Sequence, residues 1–190
     1  MNVRARRTRD SGRTARAILE AAQRVFSSRS YSEAGVREIT AVAGVNPALV
    51  NRYFGSKEKL FEAALADALD ASVLTSGSRQ GFGRRLADLF IDGVRGQEGG
   101  EAVNPLPMLV FATSDTAARD VALRLLRLRV LAPLIEWLET EDAEERAARL
   151  VAVATGFFTF RVLLPLEPLT GEVSVETREW LARTLQDIVD

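Results

Sequence analysis

Apolar residues recur along this chain at three- and four-residue intervals, and no stretch alternates apolar and polar positions long enough to make a strand. The pattern predicts an all-α protein. A first helix is expected behind an N-cap at Thr14, with Ile18, Ala21, Ala22, Val25 and Phe26 on one face, stopping near Ser28 to Ser30. A short second helix runs from about Val36 to Ala43, with Ile39 and Ala43 inward, and Gly44 can take the left-handed conformation that ends it. Asn46 then caps a third helix with Pro47 at its first position, where a missing N–H costs nothing. That helix stops at Phe54, before Gly55. Ser56 caps a fourth, carrying Leu60, Phe61 and Leu65, that extends to about Ala71. Two short helices joined by a tight turn behind a longer one make a helix-turn-helix layout.

Residues 72–83, "SVLTSGSRQGFG", are rich in Ser and Gly and mark a boundary. Further helices are expected at roughly 84–97, 104–114, 116–139, 142–164 and 174–189, with Pro133 bending the 116–139 helix and a loop at 165–174. The longest apolar run, Leu150 to Leu166, has 17 residues and contains Thr155, Thr159, Arg161 and Pro165. It is too short and too polar to span a membrane and reads as a buried helix. The expected organisation is a flexible basic arm at 1–13 and a helix-turn-helix domain at 14–60, its fourth helix continuing to about 71. A helical domain fills 72–190.

Charge sharpens this division. The net charge is only −1, yet residues 1–60 hold 12 Arg or Lys against 5 Asp or Glu, while the remainder holds 13 against 21. A basic first third on an acidic body fits a polyanionic partner, although a solvated arm with no partner has the same charge. Cys and His are both absent, which removes thiol nucleophiles, Cys/His zinc sites and Ser-His-Asp chemistry. Nor is there a phosphate loop, a dinucleotide fingerprint or a carboxylate pair singled out by spacing. The expectation is a non-enzyme without cofactor or metal. The opening "MNVRARRTRDSGRT" has no apolar stretch of the kind a secretory signal needs, so a cytoplasmic location is expected.

Three segments, "TARAILEAAQRVF", "YSEAGVREITAVAGV" and "NPALVNRYFGSKEKLF", resemble in order and spacing the DNA-binding domain of tetracycline-repressor-type (TetR-family) regulators. "VLAPLIEWL" and "RVLLPLEPL" more weakly resemble the C-terminal domain of an actinobacterial branch. The resemblance implies a homodimer that acts on a palindromic double-stranded DNA operator, usually as a repressor, under control of a small-molecule effector. A helix fits the major groove, where Asn46, Ala48, Leu49, Asn51 and Arg52 would lie on or near the outward face of the third helix. Asn51 suits adenine, Arg52 guanine or phosphate, and Ala48 or Leu49 a thymine methyl. Tyr53 and Lys57 match phosphate-contacting positions of the family, and Arg37 matches a second-helix position that meets backbone or base. Arg4, Arg6, Arg7, Arg9 and Arg13 make the arm more basic than the family minimum, suited to a minor groove or to nonspecific affinity. Five positions depart from the pattern: Ala34 and Gly35 replace a usual Ser or Thr before the second helix, Asn51 a common Tyr, Thr40 a usual Ala at the helix packing site and Ser30 a usual Gly.

Each residue also has a plainer role. Asn46 can serve only as a cap, Tyr53 as a core cover and Lys57 as a solvated helix start. In relatives the last two helices form a four-helix dimer interface, which here would use Leu150, Ala154, Phe157, Leu181, Leu185 and Ile188. The same stripes would equally fill a monomer core. The middle helices combine apolar walls with a few polar groups, and Met108, Phe111, Arg129, Trp137, Phe158 and Thr159 are the expected lining of a site for a mainly apolar effector. The alternative function is a helical small-molecule binding protein whose helix-turn-helix is vestigial.

Overall fold

The computed structural model describes residues 3–93 and 103–190, with side chains from Ser11 onward except that of Val73. All regular structure among them is helical. Helices α1 (Val3–Phe26), α2 (Val36–Val42), α3 (Ala48–Phe54) and α4 (Lys57–Ala68) are followed by a single turn, α5 (Ser72–Thr75), inside the segment expected to be loose. Then come α6 (Phe82–Asp92), α7 (Leu106–Ala112), α8 (Thr116–Leu126), α9 (Ala132–Leu138), α10 (Ala143–Phe158) and α11 (Val175–Val189).

Four expectations are corrected. Residues 3–13 are not a flexible arm in backbone terms but the first turns of α1. Arg and Ala are good helix formers, and adding turns to an existing helix avoids the cost of nucleation. The helix expected over 116–139 is interrupted by a π-helical segment, Arg127–Leu131, just before Pro133. Pro133 has no N–H to donate to the preceding turn, and the wider π turn absorbs the fault. The helix expected over 142–164 likewise ends in a π segment, Thr159–Leu163. The expected helix 84–97 stops at Asp92, and its last four positions lie outside the described residues.

The chain forms two compact units, residues 1–69 with 103–126, and 70–102 with 127–190. In the first, Ile18, Ala22, Phe26, Ile39, Val50, Leu60, Phe61 and Leu65 are sealed from water, joined by Met108 of α7 and Ala118 of α8. A buried polar residue, Gln23, locks α1 to α4: its Nε2 donates to Ala64 O at 3.1 Å and Asp67 Oδ2 at 2.8 Å. Asp67 also accepts from Arg16 at 2.9 Å, so one carboxylate receives two donors from α1. Burial makes such satisfied bonds count, because an orphaned partner would bear its full desolvation cost.

In the second unit α6 lies directly on α11. A Cβ placed on Gly83 would stand 2.0 Å from Ala182 O and 2.7 Å from Gln186 N, so the two backbones touch there. Gln186 seals the crossing: Oε1 accepts from Gly83 N at 3.0 Å and Nε2 donates to Arg79 O at 3.1 Å. At the other end of α6, Arg178 donates to both oxygens of Asp92, at 2.9 and 3.0 Å, and to Asp88 at 2.6 Å. Arg161 turns inward and binds three carbonyls, those of Leu169, Ile91 and Gly171. Among the described residues no helix is long and apolar enough to cross a membrane.

Candidate nucleic-acid interface

The turn between α2 and α3 is built as its sequence demands. Gly44 has φ +66 and Gly55 φ +83, so both ends of the α3 region use backbone that disfavours a side chain. Asn46 Oδ1 accepts from Ala48 N at 2.9 Å, satisfying an orphan donor at the start of α3, while Pro47 occupies the N-cap itself. Val50 is fully buried and Phe54 partly so, which turns the opposite side of α3 to solvent. Ala48, Asn51 and Arg52, at the i, i+3, i+4 spacing of a single face, are all exposed. Asn46 and Arg37 are exposed as well, and Leu49 and Tyr53 are half-buried at the edges. This face therefore carries an exposed amide and an exposed guanidinium, the latter 5.8 Å from the centre of the Tyr53 ring, next to one small apolar side chain.

Ser56 caps α4 by accepting from Lys59 N at 3.1 Å. Its neighbour Lys57 is half-buried, with Nζ 4.4 Å from the centre of the Tyr31 ring. Burial pushes the Lys57 pKa below its ordinary value, and the charge of Asp115 acts in the opposite direction. Tyr53 is reached by α1: the Ser11 hydroxyl donates to its oxygen at 3.3 Å. Thr40, fully buried, donates back to the carbonyls of Val36 and Arg37 at 3.0 and 3.1 Å, which is how α2 accommodates a hydroxyl at a helix packing site. α2 begins at Gly35 without a side-chain cap.

An α-helix that fits a major groove and presents only side chains suited to base edges and phosphates has one obvious use. The sequence of residues 18–64 matches the model for bacterial regulatory proteins of the tetR family, and residues 80–189 match the C-terminal domain of tetracyclin repressor-like proteins. The chain belongs to the TetR family. It is a DNA-binding transcriptional regulator. The HTH-type transcriptional regulator BetI of Rhizobium meliloti (strain 1021) is 29% identical over 175 residues, 86% of this chain and 85% of that protein. Two solved structures share the fold. A TetR-family transcriptional regulator from Rhodococcus sp. superposes with a TM-score of 0.68 at 20% identity, covering 94% of this chain and 100% of that one. A transcriptional regulator from Saccharomonospora viridis, solved in complex with choline, does so at 0.60 and 20%, covering 92% and 94%. The family division between 64 and 80 differs from the division into compact units, because residues 103–126 pack with the N-terminal helices of this regulator.

The six residues expected around an effector do not fall in one unit. Met108, fully buried, and Phe111, half-buried, belong to the first; Arg129, Trp137, Phe158 and Thr159 belong to the second. Arg129 is exposed. Trp137 packs on Phe82 with ring centres 5.1 Å apart, and Arg79 donates to its carbonyl at 2.9 Å. Thr159 donates to Thr155 O at 2.7 Å. A surface groove of about 520 Å³ in the second unit has a different lining, including Arg84, Glu179, Arg183, Gln186 and Asp190.

The expected dimer residues need correction. Leu150, Ala154, Phe157, Leu181 and Leu185 are buried within the single chain, and only Ile188 keeps partial exposure. Their stripes fill the core of the second unit, where α11 packs against α6 and α10. Outward apolar positions of the same helices include Ala152 on α10, Phe160 just beyond it and Trp180 on α11, with Gly156 half-exposed, beside charged ones such as Glu145, Arg149, Glu179 and Arg183. Phe160 and Trp180 retain 45% and 50% of their surface.

Proposed function

We propose that this regulator is a homodimeric repressor that reads a palindromic operator with α3 and leaves it when a small, mainly apolar molecule binds. Residues 14–60 are the DNA reader, and 72–190 carry ligand binding and dimerisation. The observation that carries the reading is the exposed Ala48-Asn51-Arg52 face of α3, in the basic third of an otherwise acidic chain. Asn51 reads adenine, Arg52 guanine or a phosphate, and Ala48 and Leu49 a thymine methyl; Arg37, Tyr53 and Lys57 hold the flanking backbone. Asn46 shares its side chain between capping α3 and the DNA.

One short helix reads too few base pairs for useful affinity, so two copies on half-sites about 34–36 Å apart are required. The exposed faces of α10 and its π extension (Ala152, Gly156, Phe160) and of α11 (Trp180, with Ile188) support an isologous contact through the last two helices. Gly156 has open space around it, which leaves room for a close helix approach. Arg129, Trp137, Phe158 and Thr159 of the second unit are the proposed surroundings of the effector, and the choline bound by the Saccharomonospora viridis protein supports a small organic ligand. A regulator of this kind works in the cytoplasm, and no catalytic step is assigned to it.

The test is a gel shift of the DNA upstream of its own gene at a series of salt concentrations. Retardation that weakens steeply with salt, and footprints two half-sites, is the expected result. A chain that leaves this DNA and mixed-sequence DNA alike unshifted at low salt refutes the proposal.

A further inference from the structure

Lys57 opens α4, and its ammonium lies over an aromatic ring. Nζ stands 4.4 Å from the centre of Tyr31, close enough for an effective cation–π contact. Tyr31 is half-buried in the connection between α1 and α2, and its ring is itself fixed. It stacks on Phe26, the last residue of α1, with ring centres 6.0 Å apart and planes 18° from parallel. It meets Phe61 of α4 at 5.3 Å and 67°. Phe26 and Phe61 close the set edge to face at 5.1 Å, and both are sealed from water. Three segments of chain therefore build the platform under Lys57, and moving Tyr31 would disturb the core of the first unit.

We propose that Tyr31 is a positioning residue for DNA binding: its ring holds the Lys57 ammonium in place at the start of α4, ready for a phosphate of the DNA backbone. The proposal rests on the reading of Lys57 as a phosphate contact. An unrestrained lysine side chain samples many rotamers, and a phosphate that engages it must overcome the loss of that freedom. The ring imposes the order beforehand. It also leaves the charge intact. A ring face brings no compensating negative charge, as a carboxylate would, and takes up none of the ammonium N–H donors in a strong hydrogen bond. The dipole of α4 adds to the attraction for an anion at the same end. Base selection by α3 and a sequence-blind grip by the ring-held Lys57 are thus separate functions of neighbouring helices.

The experiment measures binding of the full chain to a labelled mixed-sequence duplex at low salt, because a phosphate contact carries no sequence information. The variants are Lys57→Ala, Tyr31→Leu, the two combined, and Tyr31→Phe as the conservative replacement that keeps the ring. Tyr31→Leu is expected to bind about threefold weaker, the effect of setting one long side chain free. Tyr31→Phe should bind like wild type, and Tyr31→Leu should change nothing further in the Lys57→Ala background. Leucine also loosens the packing of Phe26 and Phe61, so a second series replaces Tyr31 with phenylalanines of increasing fluorine content. Fluorine withdraws negative potential from the ring face at nearly constant shape, so affinity should fall stepwise along the series, and only while Lys57 is present. A flat fluorine series overturns the proposal, as does an equal loss without Lys57. Tighter binding by Tyr31→Leu would mean that the ring withholds the amine from DNA, and overturns it as well. Should Lys57→Ala alone bind like wild type, the phosphate reading of Lys57 fails, and the positioning role fails with it.

Discussion

Replacing Gly83 with Ala adds one methyl group at the tightest crossing in the second unit. Its Cβ would lie 2.0 Å from Ala182 O, 2.7 Å from Gln186 N and 2.9 Å from Gln186 Cβ. The first two are backbone atoms of α11, so no side-chain rotation relieves the clash, and α6 must move off α11 by an ångström or more. Overpacking of this sort costs roughly 1–3 kcal/mol, and rigid neighbours place it at the upper end. The displacement also lengthens the 3.0 Å bond from Gly83 N to Gln186 Oε1, worth about 1 kcal/mol when made and more if Gln186 is left buried without it. Against this, Ala gains up to about 1 kcal/mol over Gly in helix propensity, less in a first turn. The net loss is about 2–4 kcal/mol, or roughly 5–15 °C in Tm for a chain of this size. Urea unfolding and calorimetry of the purified protein measure it. A variant within about 0.5 kcal/mol of wild type would show that α6 and α11 do not touch at Gly83.

Ser56→Ala removes the acceptor for Lys59 N and should lower stability by about 1 kcal/mol in thermal unfolding, while loosening the turn that carries Lys57. Trp180→Glu places a charge on an exposed face, so helix content should stay intact while light scattering reports a monomer in place of a dimer. An unchanged dimer in that variant would remove Trp180 from the contact. By contrast Leu181→Asp, aimed at a fully buried position, should unfold the second unit rather than separate two folded chains.

The exposed face of α3 was legible in the sequence because short-range rules determine it. Gly44, Asn46, Pro47 and Gly55 each need a particular backbone or cap, and together they bound α3 and fix which side faces out. Which side of the last two helices stays exposed was not legible. Periodicity says that Leu150, Phe157, Leu181 and Leu185 share buried faces, but not what buries them, and α6 and α10 do so within one chain. Gly83 was read as the end of the loose segment 72–83, and its place in α6 acquires meaning only from the α11 backbone lying against it. The start of α1 was misread because its arginines were weighed as charge rather than as helix formers.

The central claim is that α3 reads bases through its exposed face, and Asn51 is the residue on which that claim is most exposed. Selection of bound sequences from a randomised duplex pool, by wild type and by Asn51→Ala, tests it. The account predicts the same overall palindrome for both, with preference lost at one symmetric pair of positions and about 1–3 kcal/mol less affinity for the wild-type site. Identical selected sequences and equal affinities for the two proteins would contradict it.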